Sequence, residues 1–283
     1  MTIPIAERGY ARPELLAETS WLYANLANPK IRVVDSRSAG EYATGHIPGA
    51  VNIDGFGSSI PRDANYDMGS PEDFARLAGS LGIANDTTVV VYDTPTQRMG
   101  LTAWTFLYFG HEDVRILDGG LAKWTSEGLP TDAGVPEHAP ASYVAKPVEG
   151  VYCSLAEAKA GTQRDDFVFW DTRSIGEFEG KVAGFGASPR LGRIPGAVHL
   201  EWSELLDAES RTLKPAHDLR RMLEARGITP DKQVASYCNG GARGALGGYV
   251  LRILGYDHGQ TYAGSFQQWS NQADTPVERS SDA

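Results

Sequence analysis

Cysteine is nearly missing from this 283-residue chain, which holds two, Cys153 and Cys238, far apart in sequence. That excludes a disulfide framework and suits a reducing compartment, where a free thiol persists. Positive charge is scarce as well: 26 Lys and Arg stand against 36 Asp and Glu, a formal net charge of −10. Nucleic acid and anionic membrane are therefore excluded as main partners, and an anionic substrate would need a locally positive pocket. No stretch approaches the roughly 20 apolar residues of a bilayer span. The opening "MTIPIAERGYARPELL" has neither the basic start nor the apolar run of a secretory signal, so the expected location is cytoplasmic. None of the six histidines has a ligand-like neighbour at zinc spacing, and no metal or other cofactor is expected. What remains, 41% apolar and 22% charged residues, is ordinary globular composition at a length suited to two domains.

The two halves repeat each other. "VVDSRSAGEYATGHIPGAVNI" from Val33 parallels "FWDTRSIGEFEG…GRIPGAVHL" from Phe169, with Asp35, Arg37 and Glu41 matching Asp171, Arg173 and Glu177 at an offset of 136. "IPGAV" recurs at an offset of 147, so the second copy carries 11 extra residues, Lys181 to Arg190 among them. "TVVVYD" (88–93) matches "QVASYC" (233–238) and "LDGGLAKW" (117–124) matches "YAGSFQQW" (262–269), both at an offset of 145. Such a period is a domain duplication rather than a solenoid. The Pro- and Gly-rich stretch 128–150 reads as a linker wrapped over a surface. Short apolar runs alternating with helical patterns predict α/β units, each a mainly parallel, buried sheet flanked by helices. "SLAE" (154–157) is a capping-box signature.

Cys238 falls between a predicted strand and a predicted helix, the edge of an open parallel sheet where ligands bind. In "SYCNGGARGAL" it is followed by Asn239, Gly240, Gly241, Ala242 and Arg243. A helix N-terminus lowers a thiol pKa, and Gly240 and Gly241 let successive amides turn inward as an anion nest. Arg243 adds a fixed cation. Cysteine phosphatases wrap phosphate in a seven-residue Cys-x5-Arg loop, whereas this loop has six residues, Cys-x4-Arg, a smaller ring of amides matched to one sulfur atom.

From Val33 to Trp269, through the cysteine loop, "GHIPGAV", "GRIPGAV" and "YAGSFQQW", the chain resembles the tandem rhodaneses, the thiosulfate sulfurtransferase family. The resemblance implies two rhodanese-like domains and a double displacement through a persulfide on Cys238. A small anionic sulfur donor would load the cysteine, and cyanide or a dithiol, thioredoxin-like acceptor would unload it. It implies that Arg243 shapes the pocket around the persulfide, that Arg190 binds the donor, and that Trp202 borders the pocket. The expected organisation is a catalytically silent domain at 1–135, a linker at 136–150, a catalytic domain at 151–275 and a tail at 276–283. In the silent copy Asp93 replaces the nucleophile and Pro95 removes an amide. The rival donor is 3-mercaptopyruvate, but that branch resembles a Cys-Gly-Ser/Thr-Gly-Val-Thr loop with an arginine in a Gly-Arg-Phe segment, where this chain has "CNGGAR" and "GEF". A phosphatase or arsenate-reducing relative and a non-catalytic binding module are the remoter readings.

Cys153 reads as a buried apolar residue. Gly244, Gly247 and Gly248, past the first helical turn, read as contacts for close helix packing. Arg37, Arg173, Glu41 and Glu177 occur in both copies and read as structural ion pairs.

Overall fold

The computed structural model describes residues 2–55, 60, 62–63, 66–94, 97–184 and 188–280. Strands β1 (Leu16–Ala17), β2 (Ile31–Asp35), β3 (Val51–Asn52), β4 (Thr88–Tyr92) and β5 (Val114–Leu117) form a parallel sheet in the order β1-β5-β4-β2-β3. Strands β6 (Phe167–Asp171), β7 (Val198–His199), β8 (Gln233–Tyr237) and β9 (Gly259–Thr261) form a second, all parallel, in the order β7-β6-β8-β9. Read backwards, the second order repeats the first without its outermost strand, which survives as a parallel bridge between Tyr152 and Thr261. Both units are therefore the α/β layers that the alternating pattern predicts.

Helices α1 (Thr19–Asn25), α2 (Ala39–Thr44), α3 (Pro71–Ser80), α4 (Gln97–Tyr108) and α5 (Gly120–Ser126) flank the first sheet. Helices α6 (Leu155–Gly161), α7 (Ile175–Glu179), α8 (Ala216–Glu224), α9 (Ala242–Ile253) and α10 (Ser265–Asn271) flank the second. Three of them start with capping boxes, Ser38 with Glu41, Ser154 with Glu157 and Ser174 with Glu177.

The repeated Asp-x-Arg does the same work in each copy. Arg37 forks onto Asp35 and donates to Gly45 O, while Arg173 forks onto Asp171 and donates to Gly192 O. The tyrosine that ends the neighbouring strand donates to the same carboxylate, Tyr92 to Asp35 and Tyr237 to Asp171, each at 2.6 Å. Its oxygen then accepts the N–H of the isoleucine that opens "IPGAV", Ile47 or Ile194. A buried charge is tolerable only with its partners in place, and here the whole set is duplicated.

The units share one apolar core. Helices α4 and α9, equivalent in the repeat, cross so closely that a Cβ on Gly100 would lie 2.6 Å from the Leu246 Cβ. The N-terminal segment straps both units: Arg8 reaches Asp118 and Leu213 O, and the Arg12 N–H donates to Ile253 O. The linker lies along the first unit, with Ala141 N–H on Gly79 O and Val148 N–H on Tyr108 O. Gly244, Gly247 and Gly248 allow close packing as expected, since a Cβ at each would strike β8, Thr172 or Thr261. No helix among the described residues is long and apolar enough to cross a membrane. No group of metal-ligating side chains occurs among the described residues.

Candidate active site

Strand β8 ends at Tyr237 and α9 begins at Ala242, so Cys238 to Gly241 make the turn between them. The loop is braced from below by the start of α10. Cys238 N–H donates to Ser265 Oγ at 3.1 Å, and the carbonyls of Cys238 and Asn239 accept the N–H groups of Phe266 and Gln267, each at 2.9 Å. With its backbone fixed, Cys238 sits 2% exposed, and Gly241 N–H points at its Sγ at 3.0 Å. Of the two loop glycines only Gly241 needs its freedom: its φ is 102°, and a Cβ there would fall 2.7 Å from Ala263 O. Gly240 has no left-handed φ, which corrects the expectation that both glycines are conformationally required.

Arg243 turns onto a carboxylate. Its two Nη atoms meet the two oxygens of Glu177 at 2.7 and 2.8 Å, a bidentate pair shut mostly from water. Burial opposes both charges. Arg243 nevertheless holds the Glu177 carboxyl down at about 2, while Glu177 and the Cys238 sulfur raise the arginine above its ordinary value. The guanidinium thus serves the loop and the sulfur together. Glu177 is the structural partner expected of it, although its mate is Arg243 rather than Arg173.

Two described residues of the extra segment, Gly184 and Ser188, lie beside this pair and Asn239. A Cβ on Gly184 would strike Glu177 Oε1 and the Asn239 amide, and Ser188 Oγ donates to Asn239 Oδ1 at 2.9 Å. Arg190, at the end of the same segment, has a different task from the one expected. It donates to the carbonyls of Trp269, Ser270, Gln272 and Thr275 and to Thr275 Oγ1. It is the C-terminal clamp of α10, whose other end braces the cysteine loop, which replaces the reading of Arg190 as a donor ligand. Trp202 opens a 3-10 turn (Trp202–Leu205), half-buried, with its N–H on Thr172 O. Ala242 is buried at the first position of α9.

Among the described residues the first copy repeats parts of this arrangement without the nucleophile. Asp93 stands where Cys238 does, its Oδ2 accepting Arg98 N–H at 2.9 Å, and burial pushes its carboxyl up to about 7. Arg98 pairs with Glu41 as Arg243 pairs with Glu177. That pair was legible, since Arg98 lies at the same offset of 145 from Arg243. Pro95 lies outside the described residues. Cys153 is wholly buried, with its thiol pushed up by burial, as a core residue should be.

One residue had no signal in the sequence. Arg62, on the segment after β3, donates from Nη1 to Tyr66 O and, reaching into the second unit, to Ala263 O, both at 3.1 Å. Its Nη2 is buried without a hydrogen-bond partner, and a Cβ on Gly241 would lie 2.7 Å from it.

Comparison with known proteins matches residues 18–127 and 154–272 to the rhodanese-like domain. The chain is 36% identical to the sulfur carrier protein TtuD of Thermus thermophilus over 95% of this chain and 98% of that protein. It is 34% identical to the thiosulfate sulfurtransferase of Corynebacterium glutamicum (95% and 92%) and 32% identical to that of Azotobacter vinelandii (95% and 98%). The anaerobic ergothioneine biosynthesis enzyme from Chlorobium limicola superposes with a TM-score of 0.86 at 24% identity, over 95% of this chain and 71% of that one, a likeness of fold.

Proposed function

The chain belongs to the rhodanese-like domain family, in two tandem copies, and we propose that it is a sulfurtransferase that carries sulfane sulfur from thiosulfate on Cys238. The observation that carries this reading is the single-sulfur cradle: one thiol at the end of β8, one amide aimed at it, one arginine beside it.

Cys238 thiolate attacks the outer sulfur of thiosulfate. The Sγ–S bond forms as the S–S bond to the sulfonate breaks, its electron pair leaving with sulfite, and no redox partner is needed. The persulfide keeps one negative charge, which the Gly241 amide, the N-terminus of α9 and Arg243 offset. Cyanide or a thiolate then removes the outer sulfur and restores Cys238. In this reading Asn239, Gly240 and Ala242 complete the loop and Trp202 forms part of its wall. The first copy lacks a nucleophile at Asp93 and serves as a partner surface.

The experiment is intact mass after thiosulfate treatment. We expect one sulfur adduct per chain, removed by dithiothreitol and absent in Cys238→Ser; an adduct that survives in Cys238→Ser refutes the mechanism. Thiosulfate is expected to exceed 3-mercaptopyruvate at least about tenfold in kcat/KM. Glu177, ionised and already paired with Arg243, stands where the mercaptopyruvate branch has its arginine, so a carboxylate donor would lack that partner. Steady-state rates with both donors at matched ionic strength decide this, and a preference for mercaptopyruvate would overturn the donor assignment alone.

A further inference from the structure

Arg243 cannot hold the donor as a free cation, because its fork is already on Glu177. Arg190 is occupied at the C-terminus of α10. Arg62 is differently placed. Its Nη1 is anchored on both units, and it makes no ion pair among the described residues, although the Asp67 carboxylate is near enough to favour its charge. The buried Nη2 N–H groups have no acceptor. The Cys238 sulfur also lies near enough to favour its charge, but neither it nor Asp67 accepts a hydrogen bond from Nη2, and an unmatched buried N–H on a cation is expensive in a folded protein. It lies against Gly241, the residue whose N–H meets the Cys238 sulfur.

We propose that Arg62, supplied by the non-catalytic copy, is the donor-binding residue that receives the oxyanion end of the sulfur donor and of the departing sulfite. The inference rests on the sulfurtransferase reading. It gives the silent copy a part in the site: as the sulfane–sulfonate bond breaks, the negative charge gathering on sulfite is met by the Arg62 Nη2 donor beside the loop. The site is therefore built from both copies, and neither copy alone would hold an oxyanion donor.

The test uses the full chain as wild type, Arg62→Ala and Arg62→Lys, with thermal unfolding to show that the variants fold. Thiosulfate kcat/KM is expected to fall about tenfold to a hundredfold in Arg62→Ala. Loading of Cys238 by inorganic polysulfide, which has no oxyanion, should fall at least about fivefold less than loading by thiosulfate. Calorimetric sulfite binding should be lost in Arg62→Ala and partly kept in Arg62→Lys. Unchanged thiosulfate use and unchanged sulfite binding in Arg62→Ala overturn the proposal. An equal loss with both donors does so too, since it marks a loop-supporting role. If wild type binds sulfite through Arg62 yet neither donor leaves sulfur on Cys238, the oxyanion site stands and the sulfurtransferase reading fails.

Discussion

Replacing Arg243 with alanine removes one side of an ion pair and exposes the other to a sulfur that must be anionic. Glu177, 6% exposed with Arg243 in place, would lose its two shortest hydrogen bonds. Two magnitudes bear on the cost. The depression of its carboxyl from 4.5 to about 2 corresponds to ~3 kcal/mol, present above pH 4.5 and lost as pH falls through about 2. Breaking a buried pair from one side costs about 3–5 kcal/mol, and the partial exposure of Arg243 trims that to ~2–4 kcal/mol. The thiolate also loses a charge-assisted partner worth ~1.5–3 kcal/mol. We therefore expect Arg243→Ala to lower thiosulfate kcat/KM by about tenfold to a hundredfold or more. Adding Glu177→Gln to that variant should recover part of both losses, because the stranded carboxylate is removed. Arg98→Ala in the first copy is the internal control. Glu41 is depressed equally, to about 2, but owes this first to Ser38, and its side chain is 42% exposed. Solvent screening leaves that pair ~0.5–1 kcal/mol and no effect on turnover beyond about threefold. Urea unfolding and steady-state rates on wild type and the three variants supply the measurements. Retention of wild-type kcat/KM in Arg243→Ala would refute the coupling of this pair to the sulfur.

Gly241→Ala should cost about 1–3 kcal/mol and most of the activity, because its φ of 102° and the nearby Ala263 O and Arg62 Nη2 leave no room for a Cβ. Gly240→Ala, whose Cβ would meet only Gln267 Oε1 at 3.7 Å, should be tolerated, and equal losses in unfolding and rate assays would contradict this. Asp93, with its folded carboxyl at about 7 against 3.8, contributes stability present below about pH 4 and lost as pH rises through 7. The Tm advantage of Asp93→Asn over wild type should thus grow between pH 5 and pH 8, and a flat difference would argue against the burial penalty. Asp93→Cys should still give one sulfur adduct per chain by mass, since Pro95 has no N–H and Thr96 stands where the second copy has Gly241. Cys153→Ala should keep more than half of the turnover, and its loss would place that thiol in the mechanism.

The duplication, the parallel α/β units and the Cys238 loop were legible in the chain because each is local. A strand-to-helix turn is written in apolar runs and glycines, and an internal repeat exposes its own equivalences, including Arg98 with Arg243. The sequence also determined that Asp93 is no nucleophile. What Arg190 and Arg62 touch was decided only by the tertiary structure. Arginine reaches far enough to choose among several acceptors, and the acceptors here are backbone carbonyls, which carry no residue identity. Arg190 finds the four carbonyls at the C-terminus of α10, a helix that follows it by some 75 residues. Arg62 meets Ala263 across 201 positions, because α4 and α9 bring the two copies together along Gly100 and Leu246. Repeat alignment compares each copy with the other, so it cannot show where one copy reaches into its neighbour; that depends on how two separately encoded surfaces pack.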